Sequence, residues 1–281
     1  VPDEVVEAVR AHLAERNVQR GGRYPRSLEV DGLIAGARQA LAELVNAESP
    51  DEVVFGLNAT SLIRSVVEAM RPLLRPGDEV VVTELDHEAN IGPWLRLEAA
   101  GVTPRFWTVR GPDARLDPDD LAGLLAGRRV RLLALPLASN AAGRIVDVRR
   151  AAALAREAGA LTFVDAVHFA PHGRVDVRAL GADFLAFSGY KIFGPHTGFL
   201  WGRGAVLRSL LPAREFFIPG APPGAYEAGT QNYEGIAGLA GAMRYLRSLD
   251  PGGSLEGAMN RIRAHERGLG AALVGGLAAL P

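Results

Sequence analysis

The 281 residues are 48% hydrophobic and 22% charged, enough to bury a sizeable core, so the chain reads as globular, with one large domain or two smaller ones. A formal net charge of −1 gives no positive field of the kind that gathers nucleic acid or an anionic membrane, and no uninterrupted apolar run approaches the length of a membrane span. The absence of cysteine excludes disulfides, thiolate zinc sites and a thiol nucleophile within these residues. The opening VPDEVVEAVRAHLAERN carries acids and lacks the layout of a secretory signal. A cytoplasmic protein whose partners are small molecules or other subunits is therefore expected.

Short Val/Leu-rich runs alternate with longer stretches of helical period, which predicts an α/β fold with a mainly parallel sheet flanked by helices. In chain order the predicted strands are 53–55, 79–83, 103–109, 130–137, 161–164, 184–187 and 198–201. Leu62, Ile63, Val66, Val67, Met70, Leu73 and Leu74 form a one-sided stripe that predicts a helix over 61–74. Asp117-Pro118 and Asp147 are helix-start signals for two more. The Pro- and Gly-rich stretch 212–226 reads as a long functional loop, and from Leu255 the pattern is one extended helix.

In parallel sheets ligands collect at the carboxyl ends of the strands, so polar residues just beyond the predicted strands are the first candidates. These are Asn58-Ala59-Thr60, Asp86-His87, Ser139-Asn140, Asp165 with His168, and the turn Ser188-Gly189-Tyr190-Lys191. Lys191 is the only lysine in a chain rich in arginine, and an amine, unlike guanidinium, can lose its proton and form a Schiff base. Alternatively, one lysine has merely survived a coding bias toward arginine. Asp165 closes a strand, where a buried carboxylate can keep a pyridine nitrogen protonated; the other reading is a cap or turn residue. Asn58, Ala59 and Thr60 sit between strand and helix, where amides and the helix dipole suit a phosphate, or where an ordinary N-cap would stand. Ser188 and Tyr190 add hydroxyl donors to the same phosphate. His87 suits the face of a ring, or a plain surface position. His168 and His172 are four apart, but no third ligand lies at suitable spacing, so no metal site is expected. Neither a nicotinamide-type glycine fingerprint nor a Walker loop is present.

Taken together, NATS, DHEANIGPW, ASNAAG, VDAVHFAPHG, SGYKIFGP and EAGTQN, in that order from about Val53 to Ala242, resemble the class V aminotransferases of fold type I, in particular the cysteine desulfurase-like branch that includes selenocysteine lyases. The resemblance implies pyridoxal 5′-phosphate (PLP) as cofactor, with Lys191 as its Schiff-base lysine, Asp165 on the pyridine nitrogen and His87 stacked on the ring. It places Asn140 and His168 near the ring's 3-hydroxyl, where relatives often carry Gln in place of this His. Ala59, Thr60, Ser188 and Tyr190 would hold the phosphate. Thr230 would reach the phosphate of a neighbouring subunit, which implies a homodimer with shared active sites. The segment NVQRGGRYP resembles the loop at the substrate entrance. By the same likeness residues 1–16 are an N-terminal helix, 17–248 the PLP-binding large domain, and 249–281 a helix leading into a small C-terminal domain that is largely absent.

Two departures stand out. Tyr190 occupies a position that is commonly His in the desulfurases. The arginine for the substrate carboxylate and the desulfurase cysteine belong to the small domain and have no counterpart here. The expected function is a PLP-dependent enzyme acting on an amino acid, with C–S bond cleavage preferred and transamination or epimerisation as alternatives. A PLP-binding protein without turnover is the alternative of another class, and an α/β protein without cofactor would require all the motif matches to be coincidence.

Overall fold

The computed structural model describes residues 1–127, 129–210 and 212–280. Its elements in chain order are α1 (Asp3–Glu15), α2 (Pro25–Leu44), β1 (Val53–Gly56), α3 (Ala59–Met70), β2 (Glu79–Thr83), α4 (Gly92–Leu95), β3 (Thr103–Trp107), β4 (Val109–Arg110), β5 (Arg115–Leu116), α5 (Pro118–Leu125), β6 (Val130–Pro136), α6 (Val148–Glu157), β7 (Leu161–Asp165), α7 (Val177–Leu180), β8 (Phe184–Ser188), β9 (Gly198–Gly202), α8 (Gly204–Ser209), α9 (Tyr233–Ser248) and α10 (Leu255–Ala278). Seven strands form one sheet in the order β1-β9-β8-β7-β6-β2-β3, and β4 pairs with β5 in a separate hairpin. From β8 to β3 the neighbours run parallel, and only β9 runs antiparallel to β1 and β8. The predicted mainly parallel sheet is thus present.

Helices cover both faces because the central strands are apolar on both sides. Val81, Leu133, Leu135, Val164, Leu185 and Phe187 point into a core shared with α2, α5, α6 and α9. Their sequence neighbours Val80, Val82, Leu132, Ala134, Phe163 and Phe184 point into a second core with α3, α4 and α8. That period-two split fixes the register, since a one-residue slip would exchange the two faces.

The chain moves outward from β2 to β3 and then returns to place β6 on the other side of β2. Loops leaving neighbouring strands in opposite directions open a crevice at the carboxyl ends there. On the α2 side, α1 lies tightly along α9, where a Cβ at Gly241 would come within 2.4 Å of the Glu4 carbonyl oxygen. The stretch 212–226 holds only a short turn at Gly224–Tyr226 and leaves Phe216 fully exposed. Helix α10 runs the predicted course from Leu255.

Candidate active site

The carboxyl ends of β2, β6, β7 and β8 surround a cavity of about 190 Å³. Of the expected site residues, Ala59, Thr60, His87, Asn140, Asp165, His168, Ser188, Tyr190 and Lys191 all line it, together with Asp86, Ala89, Ala138 and Val167. A larger groove of about 450 Å³ between α1, α2 and α9 holds mostly alanine, glycine and arginine, with no amine, imidazole or aspartate to carry chemistry.

Lys191 stands in a tight 3-10 turn, Gly189–Ile192, directly after β8. The turn is held from both sides: Gly189 N–H donates to the Thr197 carbonyl (2.7 Å), and Gly194 N–H donates to the Gly189 carbonyl (2.9 Å). A Cβ at Gly189 would meet Leu239 at 2.6 Å and the Pro195 carbonyl oxygen at 2.9 Å, so the turn presses against α9 at a distance only glycine permits. Phe193 ends it in the left-handed region (φ 68°), a conformation that costs a non-glycine residue about 1–2 kcal/mol. Its ring packs edge-on against Tyr245, 5.3 Å away. Lys191 Nζ lies 5.3 Å from the centre of the Tyr190 ring, which itself stacks on His196.

Asp165 is buried at the end of β7. Its Oδ1 accepts from Val167 N–H (2.8 Å), and Oδ2 has no partner among the described residues. Burial pushes its carboxyl up to about 6, against the downward pull of that N–H and of His87. Asp86, across the cavity, is also pushed well above the ordinary carboxylate range, by burial first and by the Asp165 charge second. Asn90 Nδ2 donates to Asp86 Oδ2 (2.7 Å), and Trp94 Nε1 donates to Asn90 Oδ1 (3.1 Å). Asp86 is among the polar candidates that follow the strands without an assigned role, and its four-residue spacing from Asn90, and of Asn90 from Trp94, is the local signal of this chain of bonds. His87 Nδ1 accepts from Ala89 N–H (3.0 Å), which puts the neutral ring's proton on Nε2. His168 is shifted down, by burial first and then by His172 and Lys191.

At the other end stands the start of α3. The Asn58 side chain accepts from Ser61 N–H (2.9 Å), while Ser61 Oγ accepts from Asn58 N–H (3.2 Å), a reciprocal capping box. Asn58 is therefore spent on the cap, and its side chain is exposed, outside the cavity lining. Ala59 N–H donates to Ser188 Oγ (3.1 Å), which ties the helix to the end of β8 and leaves the Ser188 hydroxyl proton available. Gly198 of β9 makes this docking possible: a Cβ there would stand 2.7 Å from the Asn58 backbone. Asn140 is displayed on a turn in which Ser139 Oγ accepts from Ala141 and Ala142 N–H.

Thr230 lies elsewhere. It borders two other hollows and accepts from Gln19 Nε2 (3.4 Å), while Arg20 reaches Gln231 (3.4 Å), so the 19–21 segment packs on the 229–231 loop outside the Lys191 cavity. His172 also stays outside the lining, and among the described residues no group of His, Cys, Asp or Glu is placed to hold a metal ion.

The donor set fits PLP. A buried carboxylate with a free oxygen suits a ring nitrogen, an imidazole of fixed tautomer suits the ring face, and an amine suits an aldehyde. The Thr60 and Ser188 hydroxyls beside a helix N-terminus suit a phosphate.

Comparison with known proteins agrees with this chemistry. The chain is 39% identical over 214 residues to an aminotransferase-like protein of Gibberella zeae, covering 75% of this chain and 52% of that protein. It is 35% identical over 243 residues to a cysteine desulfurase of Serratia proteamaculans, covering 81% and 59%. The apo structure of a cysteine desulfurase from Thermococcus onnurineus superimposes with a TM-score of 0.87 at 28% identity, over 99% of this chain and 70% of that one. The chain thus spans between half and two thirds of these curated relatives' length. The sequence model of the class-V aminotransferases matches residues 1–281, and the chain belongs to that family of PLP-dependent enzymes.

Proposed function

We propose that the protein is a cysteine desulfurase-like enzyme that cleaves the C–S bond of an amino acid. The observation that carries this reading is the meeting of Lys191, Asp165 and His87 around one cavity, with the start of α3 at its far end. When bound, PLP supplies an electron sink for the carbon next to the substrate amine. Lys191 would hold the cofactor and then, once freed, move the proton at that carbon. Asp165 would hold a proton at the ring nitrogen, and His87 would cover the ring face and exclude water. Asn140 and His168 would bind the 3-hydroxyl; the hydroxyl and N–H of Thr60, with Ser188 and Tyr190, would bind the phosphate. None of the 281 residues is a cysteine, so no thiol among these residues would take up the sulfur.

Thr230, outside its own cavity, is assigned to the phosphate of a neighbouring subunit in a homodimer. Among the described residues no helix is long and apolar enough to cross a membrane, and a cytoplasmic location accords with that. Transamination is the second reading, favoured by the likeness to the Gibberella aminotransferase-like protein.

Absorption spectra of protein incubated with PLP and dialysed, beside Lys191→Ala, test the reading. A near-visible band retained by the wild type and absent from the variant is expected. Sulfide or thiol release from L-cysteine or a cysteine conjugate would then select cleavage, and a keto acid without sulfur release would select transamination. A folded wild-type protein with no retained band would overturn the assignment.

A further inference from the structure

His168 belongs to the cavity lining, while its neighbour one helical turn on, His172, does not. The two imidazoles nevertheless touch: their centres are 5.5 Å apart and their planes meet at 62°. His172 Nδ1 lies 2.9 and 3.0 Å from the two carboxylate oxygens of Glu266, in the middle of α10. A carboxylate at both distances requires a proton on Nδ1, which fixes the tautomer and the plane of the ring. The same segment is fastened to α10 twice more. The Arg263 guanidinium lies over the Phe169 ring at 5.9 Å, and Arg174 pairs with Glu256 at 2.6 Å. Gly173 is also close to α10, since a Cβ there would stand 3.3 Å from Arg263 Cδ. Thus the wall that carries His168 is bolted to a helix whose far end makes little contact with the rest of the protein.

We propose that His172, anchored by Glu266 of α10, is a positioning residue for His168: it fixes the orientation of the imidazole that faces the cavity. The functional sense of this rests on the PLP reading above; the contact itself does not. Charge matters because Lys191, His87, Asp86 and Asp165 face His168 across the cavity, with Arg263 and Glu266 on the α10 side. A neutral imidazole both donates and accepts a hydrogen bond, whereas an imidazolium only donates. Burial is the first cause of the downward shift of His168, and the imidazole of His172 at 5.5 Å and the amine of Lys191 act in the same direction. The placement also makes α10 a route by which a displacement of that helix reaches the cavity wall.

The test is imidazole NMR on the full chain without cofactor, with each histidine assigned by single substitution. In His172→Asn the titration midpoint of His168 should rise by roughly half a pH unit, about threefold in proton affinity. In Glu266→Gln, which leaves His172 in place and alters an exposed side chain, the cross-relaxation between the two rings should fall at least twofold. An unmoved His168 midpoint in His172→Asn, or unchanged cross-relaxation in Glu266→Gln, would overturn the proposal even if thermal stability fell. Since no PLP is present, the result is independent of whether the chain binds it.

Discussion

Burying Asp165 beside Asp86 weakens the unloaded protein wherever Asp165 is ionised. Its carboxyl titrates at about 6 in the fold, against about 3.9 when unfolded, so its contribution is fully present below about pH 3.9 and is lost as pH rises through 6. Asp165→Asn keeps the acceptor for Val167 N–H and removes the charge. Urea unfolding without PLP should therefore find the variant more stable than wild type at pH 8, by about 2–3 kcal/mol, with the gain roughly halved at pH 5. A gain that grew as pH fell would contradict the assignment. The same variant should lose PLP on dialysis. At this scale the sequence was most legible where one residue type has a single chemical use. Lys191, the one lysine among 31 lysines and arginines, lines the cavity, although its rarity alone also allowed a lysine that had merely survived. Asn58 was less legible, because a cap and a phosphate ligand call for the same residue in the same place, and the reciprocal bonds with Ser61 assign it to the cap. Asp86 went without a role because its partner carboxylate is 79 positions further on and meets it only through the fold.

The docking of α3 on β9 and the end of β8 is the contact on which the α3 end of the cavity depends. Gly198→Ala would force a methyl against three backbone atoms of Asn58 at 2.7–2.8 Å, and backbone cannot swing away as a side chain can. Overpacking of this kind should cost about 1–3 kcal/mol in denaturant unfolding and weaken PLP retention as well. Gly123→Ala, in the middle of α5 with open space around its Cα, should be neutral or slightly stabilising and leave retention unchanged. Equal effects of the two substitutions would show that α3 docking is not the sensitive point. All seven strands expected from the sequence are present, because strands buried on both faces read as uninterrupted apolar runs. The exception in detail is 103–109, which the structure breaks after Trp107. β3 stops there at the sheet edge, and Val109 N–H instead donates to the Glu84 carboxylate (3.0 Å) as β4 turns into its hairpin. Edge strands lack the two-sided burial that makes the others legible, so the pattern ran on without a stop.

Across the whole molecule, the buried pair Arg38–Glu227 joins α2 to the loop that leads to Thr230. Both guanidinium nitrogens meet the carboxylate (2.8 and 3.0 Å), Glu227 also accepts from Phe55 N–H of β1 (2.9 Å), and the Arg38 head lies 4.7 Å from the Phe55 ring. Arg38→Met leaves a buried carboxylate with no cation, and unfolding experiments should show a loss of about 3–5 kcal/mol. A loss below about 1 kcal/mol would mean that water reaches Glu227. Nothing local in the sequence announces a pair 189 positions apart, each member of which stands among ordinary neighbours. A long separation also governs β1, whose one strand partner among the described residues is β9: Val53 waits for Trp201 and Gly56 for Gly198. The sheet edge that seats α3 is therefore completed only once β9 has been made, and closing so long a loop is slow. The Lys191 turn waits for the same stretch and for α9, since Gly189 N–H donates to the Thr197 carbonyl and a Cβ at Gly189 would meet Leu239. Both ends of the cavity therefore close late in the order of the chain, after the strands that lead to Asp86 and Asp165 have been made.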